Sequence, residues 1–173
     1  MMVVDLVNTL PGFDDEDTLQ TLDDLDEFLV RQPYTGTIHR DAETLDAVRT
    51  VRARLRQLWE VDRGGAVPLV NTMLADGEAL PRLVIHDDYD WHIHATSDES
   101  PLATRMMVEA AMAFVDVIRS DEYGRIRICD ADDCDAVYID YSKNGSKRYC
   151  DTGNCGNRMN VNAYRRRKAR ETA

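Results

Sequence analysis

All four cysteines of this 173-residue chain fall in one stretch of 27 residues, as Cys129, Cys134, Cys150 and Cys155. The spacing is C-x4-C, fifteen intervening residues, then C-x4-C. Two close pairs separated in this way let two loops present four thiolates tetrahedrally to one Zn2+, whereas disulfides are disfavoured in a reducing cytoplasm. The competing readings are two disulfides or a redox switch. Asp130, Asp132, Asp133 and Asp135 crowd the first pair and are expected to raise its thiol pKa values, which argues against a reactive cysteine unless a metal supplies the compensating charge. Four thiolates leave no open coordination position. The metal is therefore expected to fold its module and to do no chemistry.

The residues around the cysteines predict a small, coherent fold. Arg125 to Ile128 reads as a strand ending at the first pair, Ala136 to Ile139 as a second strand, and Lys143 to Ser146, centred on Asn144-Gly145, as a turn. Thr152 or Asn154 can cap a helix from about Cys155 to Ala169, which puts the last cysteine on its first turn. Knuckle, hairpin and helix make a treble-clef type of zinc module, whose few core residues need the metal for stability.

Charge is segregated along the chain. Residues 143–173 hold nine Lys or Arg against Asp151 and Glu171, a net +7, while residues 1–142 carry −18 and the whole chain −11. A basic tail set apart from an acidic body is a local electrostatic footprint for nucleic acid. Lys143, Lys147, Arg148, Arg158, Arg165, Arg166, Arg167 and Lys168 are the candidate DNA contacts, together with Asn157. Guanidinium forks suit phosphates and guanine edges, and asparagine amides can match adenine. Met159, Val161 and Tyr164 are expected to face inward. The plainer reading is a solvated tail that neutralises the acidic body.

Several of these residues carry a resemblance to a known family. Cys129-x4-Cys134, then Tyr138, Asp140, Ser142 and Asn144, then Lys147-Arg148-Tyr149-Cys150 and finally Cys155-Gly156-Asn157-Arg158 resemble the CGNR zinc finger. The opening Asp5-Leu6-Val7-Asn8-Thr9-Leu10 resembles the start of the ABATE domain that precedes this finger. The resemblance implies a bacterial, stress-induced transcription regulator. The family usually has Phe at Tyr138, Trp at Tyr149 and Lys at Asn160, so one phosphate contact is expected to be missing. The aspartates of the knuckle are expected to face away from a duplex.

The segment before the finger predicts an α+β protein: a mainly helical domain over 1–122 with a small β-hairpin, followed by the zinc module over 123–173. Leu19, Leu22, Leu25, Phe28 and Leu29 mark one amphipathic helix. Leu45, Val48, Val51, Leu55, Leu58 and Trp59 mark a second from about Asp41 to Arg63, ended by Gly64-Gly65, with Arg49, Arg52 and Arg56 as a basic stripe facing the acidic first helix. Pro68 is expected to start a third, stopped by Gly77. Leu83 to His86 and Trp91 to Ala95, joined by Asp-Asp-Tyr-Asp, read as the hairpin. Leu102 to Ile118, apolar on nearly every face, is expected to be the buried central helix.

Chemistry is sparse in this segment. His92 and His94 share one face of a strand, with Trp91 opposite and His86 across the hairpin, and form a candidate ligand site. Asp5 and Asn8 are weaker candidates, equally explained by a local turn or cap. No phosphate-binding loop, nucleophile–base pair or paired-carboxylate spacing stands out, so no enzyme is expected. No membrane span or export signal is evident, and a cytoplasmic protein is expected. The preferred function is a DNA-binding regulator whose helical domain senses a small ligand, forms a homodimer, or both. The alternative is a zinc-stabilised interaction module that docks an acidic partner.

Overall fold

A computed structural model describes residues 2–11, 16–86 and 89–171, without the side chains of His86 and Tyr89. The expected turn residues Asp87 and Asp88, and the His86 side chain, lie outside the described residues.

The body is helical. A short α1 (Met2–Val7) is followed by α2 (Leu22–Arg31), whose start is fixed by a reciprocal cap: Thr21 Oγ1 accepts from the Asp24 N–H, and the Asp24 carboxylate accepts from the Thr21 N–H at 2.8 Å. Helix α3 (Ala42–Arg56) is capped by Asp41, which accepts from the Thr44 N–H. It ends seven residues before the expected Arg63, in a 3-10 turn over Gln57–Trp59. The next helix, α4 (Arg63–Asp76), begins on Asp62, whose carboxylate accepts from the Gly65 N–H at 2.8 Å. Gly64 and Gly65 therefore open a helix instead of closing one, and Pro68 lies inside it. The side-chain cap outweighs the helix-breaking tendency of the glycines, because N–H groups of a first turn have no intrahelical acceptor to lose. Gly77 does stop α4; a Cβ there would fall 2.2 Å from Val108 Cγ2 on the central helix, so only glycine permits the approach.

The hairpin pairs β1 (Arg82–His86) with β2 (Tyr89–His94), setting Leu83 opposite Ile93 and Val84 opposite His92. Helix α5 (Leu102–Arg119) is the central element: Leu102, Met106, Met107, Ala110, Ala111 and Phe114 are all buried in the main core. No helix among the described residues is long and apolar enough to cross a membrane.

The Arg stripe of α3 does not pair with α2. Arg52, 3% exposed, forms a two-pronged ion pair with Asp17 and also donates to Thr9 Oγ1. Arg49 meets Asp46 on its own helix, Arg56 meets Glu60, and the acids of α2 are held by Arg40. A buried guanidinium needs a charged partner of matching geometry, and the partly buried Asp17 in the loop supplies it through two parallel hydrogen bonds.

The finger follows as β3 (Ile126–Ile128), β4 (Val137–Ile139) and α6 (Cys155–Glu171). Its hairpin is two-faced. Val137 is fully buried in the body's core, with Ile126, Ile128 and Ile139 packed against the same cluster. Tyr138, Ala136 and the four cysteines form a second core with Ala131. Three side chains of the body grip β4 and the residues just before it by the backbone. Asn8 donates to the Val137 carbonyl at 2.9 Å and accepts from the Val137 N–H at 2.8 Å, Trp59 donates to the Tyr138 carbonyl, and Arg56 to that of Asp135.

Candidate metal centre and basic helix

The first cysteine pair sits on the knuckle between β3 and β4, where the Cys129 N–H donates to the Ala136 carbonyl and closes the loop. The second pair flanks the turn into α6, with Cys155 on the first helical turn as expected. Four Sγ atoms converge within 4.8 Å of one another, and all four residues are buried. The Sγ atoms of Cys134 and Cys150 are 3.7 Å apart, those of Cys150 and Cys155 3.6 Å. A tetrahedral Zn2+ with Zn–S bonds of about 2.3 Å requires edges of about 3.8 Å. The donor set is suited to one zinc ion and leaves no site for a substrate.

The surrounding groups act on the thiols in opposite directions. Cys150 titrates below an ordinary thiol: burial opposes its ionisation, but the N–H groups of Gly153 and Thr152 and the neighbouring thiols outweigh it. Burial pushes Cys129 and Cys134 up, against N–H groups of Cys150, Ala131 and Ala136 that pull the other way. Desolvation, and not the knuckle aspartates, is therefore the main source of the upward shift, and a bound cation reverses it. The Arg158 guanidinium donates to Cys155 Sγ at 3.1 Å and to Asp133 at 2.5 Å, so the arginine of the Cys-Gly-Asn-Arg run braces the metal centre.

A buried carboxylate organises the loop ahead of Cys150. Asp140, 0% exposed, accepts from the Ser142 and Lys147 N–H groups at 2.8 and 2.9 Å; the Ser142 side chain and these N–H groups hold its pKa below the usual range. Arg125 and Arg127 tie the same loop by its carbonyls at Asp140, Ser142, Gly145 and Lys147. Neither arginine is among the expected site residues: Arg127 lies on β3 and Arg125 in the 3-10 turn before it, and no local motif marks them.

The candidate DNA contacts divide into two sets. Arg148 pairs with Asp130 at 3.0 Å, Arg158 with Asp133, Arg166 with Asp132 at 3.4 Å, and Lys147 with Asp151 at 2.5 Å. Arg158, Asn162 and Arg166 follow the i, i+4, i+8 row of α6, so the acidic knuckle lies along that row. On the remaining arc stand Asn157, Asn160, Val161, Tyr164, Arg165, Arg167 and Lys168, while Lys143 is exposed in the turn before Cys150. Val161 and Tyr164, expected inside, are 46% and 58% exposed, and of the helix only Cys155 is buried. Met159 alone of the three packs inward, against the cysteine cluster.

The weaker candidates separate as well. Asn8 is the clamp on β4, and Asp5 accepts from Gln32, the residue that caps the end of α2, at 2.6 Å. His92 and His94 do line a cavity, of about 560 Å³, between β2, the Pro33–Thr35 segment and α5. Their Nε2 atoms are 3.1 Å apart, and His92 Nδ1 lies 2.8 Å from the Asp90 carbonyl, which makes Nδ1 the donor. Glu109 and Tyr34 face the same space. Burial raises the Glu109 pKa, with Tyr34 and Arg105 pulling it back, and the Tyr34 hydroxyl makes no well-formed hydrogen bond among the described residues.

Helical body, shared hairpin and cysteine cluster together define a zinc-finger protein whose metal is structural. The family model described as "Putative stress-induced transcription regulator", ABATE, matches residues 1–121, and the CGNR zinc finger matches residues 125–168. The chain belongs to the ABATE family and ends in a CGNR zinc finger. Both are regulator or zinc-finger types, and neither describes an enzyme. No curated protein matches the chain significantly.

Proposed function

We propose that the protein is a transcription regulator that binds duplex DNA through α6. The observation that carries this reading is a 17-residue helix, anchored on the zinc site by Cys155, that is otherwise unburied and carries Arg165, Arg167 and Lys168 on its exposed surface, while Arg158 and Arg166 pair with the knuckle. So polar a helix gains little from burial in its own fold and is best accounted for by a polyanionic partner. Asn157, Asn160 and Tyr164 form the base-reading arc, flanked by Arg165, Arg167 and Lys168 on phosphates. Arg148, Arg158 and Arg166 stay with the knuckle carboxylates, which turn away from the duplex. The cavity at His92, His94, Glu109 and Tyr34 serves as the effector site of the body, because convergent polar groups in an otherwise apolar cleft of this size suit a small molecule.

The test is titration of the zinc-loaded protein with random and genomic duplexes at two salt concentrations, beside a chelated control and with heparin as competitor. Zinc-dependent binding that prefers some duplexes over heparin is expected. Replacing Arg165 and Arg167 together by Ala should flatten the salt slope by about 1 to 2. Binding to heparin as tight as to any duplex favours docking on an acidic protein, and no zinc-dependent binding at low salt overturns the proposal.

A further inference from the structure

The β1–β2 hairpin lines the cavity with His92, Ile93 and His94 and also carries an exposed apolar surface. Leu83, Ile85, Trp91 and Ile93 alternate outward and are 67%, 56%, 64% and 50% exposed, and Leu80 just before the hairpin is 77% exposed. Leu83 stands directly opposite Ile93, so these side chains form one patch. The pairing is irregular between Val84 and His86, where Asp90 and Trp91 together stand across from Ile85, so the exposed Asp90 marks a polar edge of the patch. A lone two-stranded hairpin is marginal in water, and one with a bare apolar face is worse.

We propose that this face is the dimer interface, covered by the same face of a second copy of the chain. At the exposures observed, the five side chains present roughly 600 Å² of apolar surface. That matches the upper end of the largest patch on a typical monomer, about 300–600 Å², and a standard interface takes about 800 Å² from each partner. With a modest polar rim, one copy of the patch supplies what a dimer needs. An isologous contact also suits a mainly apolar surface, since a charged face of so acidic a body would repel its copy. A two-fold related pair presents two basic helices, although the inference rests on the hairpin alone and not on DNA binding.

The experiment is sedimentation equilibrium of the full-length, zinc-loaded chain without DNA, from 1 to 100 μM, on wild type and on Leu83→Lys/Ile93→Glu. The paired charges keep a favourable cross-strand contact and remove the apolar surface. Wild type is expected to dimerise within this range, and the variant to shift the dissociation constant upward by more than 100-fold at a urea midpoint that matches wild type when both are diluted to the monomer. A wild type monomeric throughout, or a variant that dimerises equally well, overturns the proposal. Hydrogen exchange of the wild type provides a readout independent of any variant. Protection that grows with concentration over residues 80–94 supports the interface, and growth confined to another segment refutes it.

Discussion

Replacing Asn8 by Ala removes a clamp between residues 129 positions apart. The Asn8 side chain satisfies both the N–H and the carbonyl of Val137, at 2.8 and 2.9 Å, on a strand whose own side chain is fully buried in the body's core. Ala cannot replace either bond, and each orphaned buried group costs about 1–3 kcal/mol. Because the site is half-buried and a water molecule can reach part of it, the combined loss is set at about 2–4 kcal/mol, or roughly 30- to 1000-fold in the folding equilibrium. With a urea m-value of about 2 kcal/mol/M, the midpoint falls by about 1–2 M. Urea unfolding under saturating zinc, followed by far-UV circular dichroism and Trp59/Trp91 fluorescence, should show one transition that moves as a whole, because the core is shared. Zinc content should not change, since Asn8 touches no thiol. A shift below about 0.3 M refutes the clamp. A transition that splits, with the helices unmoved, refutes the shared core.

Other perturbations separate the metal centre from the helix. Cys150→Ser should release zinc and raise hydrogen exchange over 129–135 and 147–171, while α3 and α5 stay protected by the core they share with β4; retained protection around the knuckle would show that the metal is dispensable. Arg158→Ala should raise the zinc dissociation constant by about 10- to 100-fold in chelator competition, since it removes the donor to Cys155 Sγ, whereas Asn157→Ala should leave it unchanged. Asp17 is held below the usual carboxylate range by the Arg52 guanidinium, so its contribution is complete above the unfolded value near 4 and fades as pH falls through the lower folded value. The urea-midpoint gap between wild type and Asp17→Asn should therefore be constant from pH 5 to 7 and close below about pH 4; a gap that persists there contradicts the ion pair.

The metal centre was legible in the sequence because its ligands come in two local pairs, and the spacing of a C-x4-C loop is a property of the nearby chain. The central helix and the two faces of the hairpin were legible for a similar reason, since period 3.6 and period 2 are local signals. What the sequence hid were features decided by distant backbone. Nothing near Asn8 marks it as a partner of Val137, and nothing near Arg52 selects Asp17 over the acids of α2. The break at Arg56 depended on the Asp62 side chain capping a helix that opens with two glycines, an arrangement that composition alone reads backwards. The knuckle aspartates were visible as charges, but their pairing with Arg158 and Arg166 required the fold to set the helix alongside them.

Because Val137 completes the core that α1 and α3 begin, the timetable of synthesis enters the physics of this chain. A body made entirely of early residues could close while the rest was still being translated. Here the seam stays open until β4 has left the ribosome, so Asn8 must wait for a strand made more than a hundred residues later. For that interval the nascent chain shows an unfinished apolar face. The finger both captures the metal and, through β4, seals the body, which joins quality control of the fold to its arrival.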